Sequence, residues 1–93
     1  MKYTYEEVST KGEELFYAED PNADYNFDDI VLYKYKRRYV LFFDSGCSCD
    51  APFAYKDIDL GDDYTKAELK RVAAAWGDRS SEGVMKEWIK ENL

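Results

Sequence analysis

The chain contains no histidine, the side chain most often used as a general base and a common metal ligand. The usual Ser-His and Cys-His nucleophile pairs are therefore excluded. No apolar run approaches the ~20 residues that a membrane helix needs. The chain starts with Met1-Lys2-Tyr3 and lacks the apolar segment of a signal peptide. These absences predict a cytoplasmic protein that is not an enzyme, needs no cofactor and has no membrane partner.

Aromatic residues are abundant. They make up 17% of the 93 residues, and nine of them are tyrosines. Such a composition argues against disorder, because disordered segments are poor in aromatic residues. The length suits one compact unit, so residues 1–93 are predicted to form a single domain.

Two helices are predicted near the end of the chain. Over residues 66–76 apolar side chains recur at helical spacing. Thr65 and Glu68 just before and inside that segment match a capping box. A second helix, capped by one of the two serines before it, is predicted over residues 82–92.

A β-hairpin is predicted in the centre of the chain, from residues 30–35 and 38–43, which are rich in β-branched and aromatic residues. A two-residue loop at Lys36-Arg37 would give each strand two apolar faces, although these residues poorly suit positive φ.

An edge strand is predicted over residues 55–60. The predicted fold class is α+β: a small antiparallel sheet of three or four strands with two C-terminal helices packed against it. The predicted core comprises Leu32, Val40, Leu41, Phe42, Leu69, Val72, Trp76, Met85, Trp88 and Ile89.

The net charge of −7 is unevenly distributed. Residues 1–30 hold nine acids and two bases, whereas residues 31–43 hold four bases and no acid. An acidic field attracts basic surfaces, so the predicted partner is a protein with a basic surface. An equally simple interpretation is that the acids only keep the domain soluble. The candidate contact residues are Glu13, Glu14, Glu19, Asp20, Asp24, Asp28, Asp29, Asp62 and Asp63.

The basic segment Lys34–Tyr39 interleaves bases with aromatic rings, as single-stranded nucleic-acid sites do. The segment is short and the rest of the chain is acidic. The sequence therefore disfavours nucleic acid as a partner.

A group of small residues follows the hairpin, in the segment Ser45-Gly46-Cys47-Ser48-Cys49. Two cysteines without histidine fall short of the four ligands of a structural zinc site. No metal site is predicted. The rival hypothesis is a metal- or thiol-dependent protein in which Cys47 and Cys49 are the functional residues.

With its Pro52-Phe53 pair, this segment resembles small uncharacterised bacteriophage proteins, chiefly those of actinobacterial phages. The resemblance covers residues 45–53 and loosely the hairpin before them. It implies no catalytic residue, since that family has no established activity. It implies that the protein acts in the cytoplasm of a host bacterium.

The predicted function is a non-enzymatic phage accessory protein that binds and inhibits a host protein, with an anti-defence role as one form of this activity. A further alternative is a virion or assembly component that self-associates; the sequence leaves the oligomeric state open.

Overall fold

The computed structural model describes residues 1–22, 25–47, 51–57 and 59–93. Its described part forms five strands and three helices. In chain order these are β1 (Lys2–Thr4), α1 (Tyr5–Lys11), β2 (Glu13–Glu19), β3 (Asn26–Tyr35), β4 (Arg38–Cys47), β5 (Leu60–Tyr64), α2 (Lys66–Ala74) and α3 (Ser80–Asn92).

The strands form one antiparallel sheet in the order β1-β5-β4-β3-β2. The α+β class is confirmed, but the sheet has five strands instead of three or four, and three helices instead of two accompany it. The additional elements are mostly short and come from the start of the chain. β1 has three residues and α1 has seven, too few to show a clear periodicity in the sequence.

The central hairpin has the two-residue loop that the sequence predicted. Tyr35 pairs with Arg38, and the loop residues Lys36 and Arg37 have φ values of 51° and 64°. Positive φ at both loop positions is the geometry of a type I′ turn, whose twist matches that of the strands. Strand pairing therefore overrides the unfavourable side chains in the turn.

Replacing Arg37 with glycine is expected to stabilise the protein by about 0.5–1 kcal/mol. Left-handed backbone costs a residue with a Cβ roughly 1–2 kcal/mol, and the flexibility of glycine in the unfolded chain offsets part of the gain. Urea unfolding of Arg37→Gly measures the effect. Arg37→Ala is the control, because alanine has the same steric cost and should give no gain.

The sheet is covered on both faces. On one face α2 and α3 pack on Ile30, Leu32 and Leu41, which are fully or almost fully buried. On the other face α1 and the chain around Phe53 cover a second cluster that includes Val31 and Phe42. The alternation of side chains along the hairpin predicted the two faces correctly, and each face carries a buried cluster.

Seven of the ten predicted core residues are buried, but three are only partly so. Trp88 stacks on Phe16 with ring centroids 5.2 Å apart, and Trp76 packs edge-on against Phe43, which is 50% exposed. Val72 is also partly buried. Both tryptophans thus lie at the margins of the core.

The helix starts differ in how well the sequence predicted them. α2 has the predicted capping box, with the Thr65 Oγ1 accepting from the Glu68 N–H and the Glu68 carboxylate accepting from the Thr65 N–H. α3 begins at Ser80, two residues before the predicted start, and Arg79 in the N-cap position makes no side-chain cap hydrogen bond. The hydroxyl of Ser80, one of the two predicted caps, accepts from the Glu82 N–H at 3.4 Å. None of the helices in the described part of the chain is long and apolar enough to span a bilayer.

The predicted strand over residues 55–60 is wrong in the described residues, where β5 instead begins at Leu60. Gly61, Asp62 and Asp63, which look like a polar turn in the sequence, lie inside this strand. Gly61 permits the pairing because its backbone lies against Leu41 and the ring of Phe42, where a side chain would collide.

Candidate functional site: the acidic end of the sheet

Three carboxylates lie side by side across three strands. Glu19 of β2 pairs with Asp29 of β3, and Asp29 pairs with Asp44 of β4. Directly opposed residues have Cβ atoms roughly 4.5–5.5 Å apart, and like charges in such positions are destabilising. We call these three residues the acidic row. It lies where β2 ends and β3 begins, on the face of the sheet that α1 covers.

Asp29 is the centre of the acidic row and is only 5% exposed. Its carboxylate accepts a hydrogen bond of 2.5 Å from the Tyr17 hydroxyl. Burial raises the pKa of Asp29, the Tyr17 hydrogen bond acts to lower it, and the charges of Glu19, Asp28 and Asp44 raise it further. The net effect is a raised pKa for Asp29, which reflects its burial and the repulsion between its carboxylate and those of Glu19, Asp28 and Asp44.

Asp44 also fixes the chain that covers this face. One carboxylate oxygen accepts from the Phe53 N–H at 2.7 Å and the other from the Ser45 N–H at 3.0 Å. Phe53 has a φ of 57° and is buried, with its ring stacked on Tyr5 at a centroid distance of 4.8 Å. Asp44 therefore has a structural role, in addition to its charge.

Further carboxylates extend the acidic row. Asp28 precedes Asp29 in β3 and lies on the opposite face of the sheet. Asp57 and Asp59 lie just before β5. Burial raises the pKa of Asp59, and the charges of Asp44 and Asp57 raise it further. In the described part of the chain, no basic side chain forms an ion pair with any of these acids. We call the whole set the acidic end. It consists of Glu19, Asp28, Asp29, Asp44, Asp57 and Asp59.

Replacing Asp59 with asparagine is expected to increase stability near neutral pH by about 1 kcal/mol, because burial and the charges of Asp44 and Asp57 disfavour the ionised form of its carboxyl. A raised folded-state pKa means that the native protein binds this proton more tightly than the unfolded chain. Protonation of Asp59 therefore stabilises the wild-type fold. This contribution is complete below the unfolded-state pKa of about 4 and is lost as pH rises through the folded-state pKa.

The gain from Asp59→Asn should therefore shrink toward about pH 3, where the wild-type carboxyl is protonated in both states. Urea unfolding over a pH series tests this, with Glu6→Gln, at an exposed position whose charge does not act on Asp59, as a control. A gain that did not change with pH would contradict the proposed burial of charge.

The predicted contact residues do not form one surface. Glu19, Asp28 and Asp29 belong to the acidic end, and Asp20 directly follows Glu19. Glu13 and Glu14 lie at the opposite end of β2, where Glu13 pairs with Lys34. Asp24 is outside the described residues.

Asp62 and Asp63 form ion pairs with basic groups of the same chain. Lys2 Nζ lies 3.2 Å from Asp62, and both the N-terminal ammonium and Arg38 Nε lie 3.1 Å from Asp63. Burial acts to raise the pKa of Asp63, but hydrogen bonds from the ammonium and Arg38 dominate and lower it. Asp63 is therefore held by charges of its own chain.

The rival hypothesis is a metal- or thiol-dependent protein in which Cys47 and Cys49 are the functional residues. Cys47 is at the end of β4 and takes part in a disulfide bond, and Cys49 is outside the described residues. Among residues that the structure describes, no group of three or more His, Cys, Asp or Glu side chains is arranged to hold a metal ion.

Sequence reasoning missed Asp44 as a member of the site, together with the exposed rings beside it. Tyr25 is 78% exposed just before β3, and Tyr55, whose carbonyl accepts from the Asp59 N–H, is 61% exposed. Extending the hairpin register from Tyr35–Arg38 would have paired residue 44 with residue 29 and so revealed the acidic row.

The comparisons with known proteins give no relative. No protein-family model, no curated protein and no solved structure matches the chain.

Proposed function

We propose that this protein is a non-enzymatic, phage-type accessory protein that binds a basic surface of a host protein and inhibits that protein, with an anti-defence role as one form of this activity. The observation that carries the proposal is the acidic end, a group of carboxylates with no cationic partner in the described residues.

The energetic cost of the acidic row supports this proposal. Like charges directly opposed on neighbouring strands destabilise a sheet. Sequences break such local rules mainly at functional sites, where the cost is offset elsewhere. A basic partner would relieve the repulsion among Glu19, Asp29 and Asp44, which gives binding a physical driving force.

The exposed rings beside the acidic end provide an apolar component. Tyr25 and Tyr55 each leave most of their surface in solvent. Tyrosine is enriched among the residues that dominate binding energy at protein interfaces. Charge would then steer the partner into place, and the rings would contribute contact area.

A charge-matched pair of variants tests the location of the site. The first is Glu19→Gln, Asp28→Asn, Asp57→Asn, which spares Asp29 and Asp44 because both hold hydrogen bonds within the fold. The control, Glu6→Gln, Glu13→Gln, Glu14→Gln, removes the same charge from other exposed positions.

We expect wild type and the control to capture the same host protein from a bacterial lysate. The acidic-end variant should lose that capture. In an assay of the captured protein's own activity, wild type and the control should inhibit, and the acidic-end variant should inhibit only weakly. Equal capture by both variants would show that the acids only confer solubility.

Self-association is the second candidate, favoured by one specific observation. Phe43 and Leu60 are 50% and 54% exposed on the helical face of the sheet, and Phe43 contacts the ring of Trp76. Exposed apolar patches are a mark of interaction sites. This would suit a virion or assembly component, and light scattering over a concentration series distinguishes it from a monomeric inhibitor.

A further inference from the structure

A cleft of about 550 Å³ lies between α3, the turn after β2 and the connection from α2 to α3. Its aromatic lining is the stacked pair Phe16 and Trp88, whose rings are inclined by only 11°. Both rings are partly exposed. The cleft therefore offers a flat aromatic surface that solvent and a ligand can reach.

Carboxylates dominate the charge around this cleft. Asp78, Glu87 and Glu91 line it, and Arg79 is the one basic residue among its lining residues. Asp78 is paired with Lys86 Nζ at 3.1 Å, but neither Glu87 nor Glu91 forms an ion pair within the described residues.

Glu87 and Glu91 stand one helical turn apart on α3 and flank Trp88. A hydrogen bond between the two side chains, followed by the charge of Glu87, raises the pKa of Glu91. Two like-charged side chains at this spacing destabilise a helix. A cation placed between them would relieve this repulsion.

We propose that this cleft receives an arginine side chain of the basic partner. The inference rests on the proposed function and identifies the chemistry of one anchor contact. A guanidinium group is planar, stacks on aromatic rings and binds carboxylates through two parallel hydrogen bonds. Trp is the best of the aromatic side chains for such a cation–π contact.

The position of the cleft agrees with this assignment. Pro21 and Asn22 line it, and they follow directly after Glu19 and Asp20. The aromatic pair of the cleft lies on the α3 face of the sheet and the acidic row on the α1 face. A partner that contacted both would therefore extend around the end of β2, where Glu19 and Asp20 lead into Pro21 and Asn22.

An anion is the alternative occupant, because the basic residue Arg79 lies at the start of α3 and lines the cleft. The two occupants predict opposite effects of mutation. Neutralising Glu87 and Glu91 weakens binding of a cation and strengthens binding of an anion, whereas Arg79→Ala does the reverse. The excess of carboxylates favours the cation.

The test uses NMR titration of the full chain with a short arginine–glycine peptide, observed at the indole N–H of Trp88. The control peptide carries citrulline, which has the shape of arginine without its charge. Glu87→Gln with Glu91→Gln is the main variant, since both residues are exposed and their replacement leaves the core intact. Trp88→Ala is avoided because Trp88 packs against the core.

We expect the arginine peptide to shift the Trp88 signal and the citrulline peptide to leave it unchanged. The double Gln variant should bind the arginine peptide on the order of tenfold more weakly, the scale of losing charge-assisted hydrogen bonds while the contact with the Trp88 ring remains. Arg79→Ala should bind it at least as tightly as wild type.

Equal binding of the citrulline peptide, or weaker binding in Arg79→Ala with none lost in the double Gln variant, would overturn the cleft assignment. Shifts confined to Tyr25, Asp28 and Asp57 would also overturn it, while leaving the proposed function intact. The proposed function itself fails separately, if the acidic-end variant retains its host partner.

Discussion

Replacing Phe42 with alanine is expected to lower the free energy of unfolding by about 3–5 kcal/mol, the range for truncating a buried phenylalanine. Phe42 is fully buried, and its ring meets Tyr5 and Tyr33 edge-on at centroid distances of 5.2 and 6.1 Å. The substitution would leave a cavity where β4 meets α1. A domain of ordinary stability has about 5–15 kcal/mol in total, so the variant should be marginal.

Phe43→Ala is the matched control for this experiment. It is the next residue on β4, but it is 50% exposed and points to the other face. Its loss should cost about 1 kcal/mol or less. Urea unfolding of both variants gives the comparison, and similar losses would show that the face covered by α1 is not a true core.

Gly61→Ala is expected to destabilise the protein by at least about 1–3 kcal/mol, the usual cost of overpacking. An added Cβ would collide with the Leu41 carbonyl oxygen and lie 2.7 Å from the Phe42 Cε1. The carbonyl belongs to the backbone of the central strand β4, so it has little freedom to move. The clash would separate β5 from β4 or displace the ring of Phe42.

Gly77→Ala is the control, because nothing lies within 4 Å of a Cβ added there. Neither glycine has a positive φ, so the comparison isolates the steric effect from backbone strain. Thermal unfolding of the two variants should give clearly different midpoints. Equal midpoints would mean that β5 does not pair closely with β4.

The parts of the fold that sequence predicted best carry a local signal. The centre of the hairpin is rich in β-branched and aromatic residues, and α2 has both an apolar stripe and a capping box. β5 was missed because its sequence, Leu60–Tyr64, reads as a turn. Its strand character comes from pairing with β4 and from the close packing of Gly61, and neither is visible in local composition.

The candidate site was partly predictable for the same reason. Composition placed the negative charge near Glu19, Asp28 and Asp29, and the structure places these residues together. Composition alone could not distinguish these residues from Asp63, whose carboxylate forms an ion pair with Arg38. Asp44 was missed, since only the pairing of β3 with β4 brings it beside Asp29.

The most direct test of the acidic end is the association rate with the captured host protein, measured over a range of salt concentrations. Salt screens exposed charges beyond roughly 8–10 Å, so steering by the acidic end makes the rate fall steeply with salt while dissociation changes little. The variant Glu19→Gln, Asp28→Asn, Asp57→Asn should associate slowly at every salt concentration, with a flatter dependence. The control Glu6→Gln, Glu13→Gln, Glu14→Gln should stay close to wild type. An association rate that ignored both salt and the acidic-end variant would contradict the proposal.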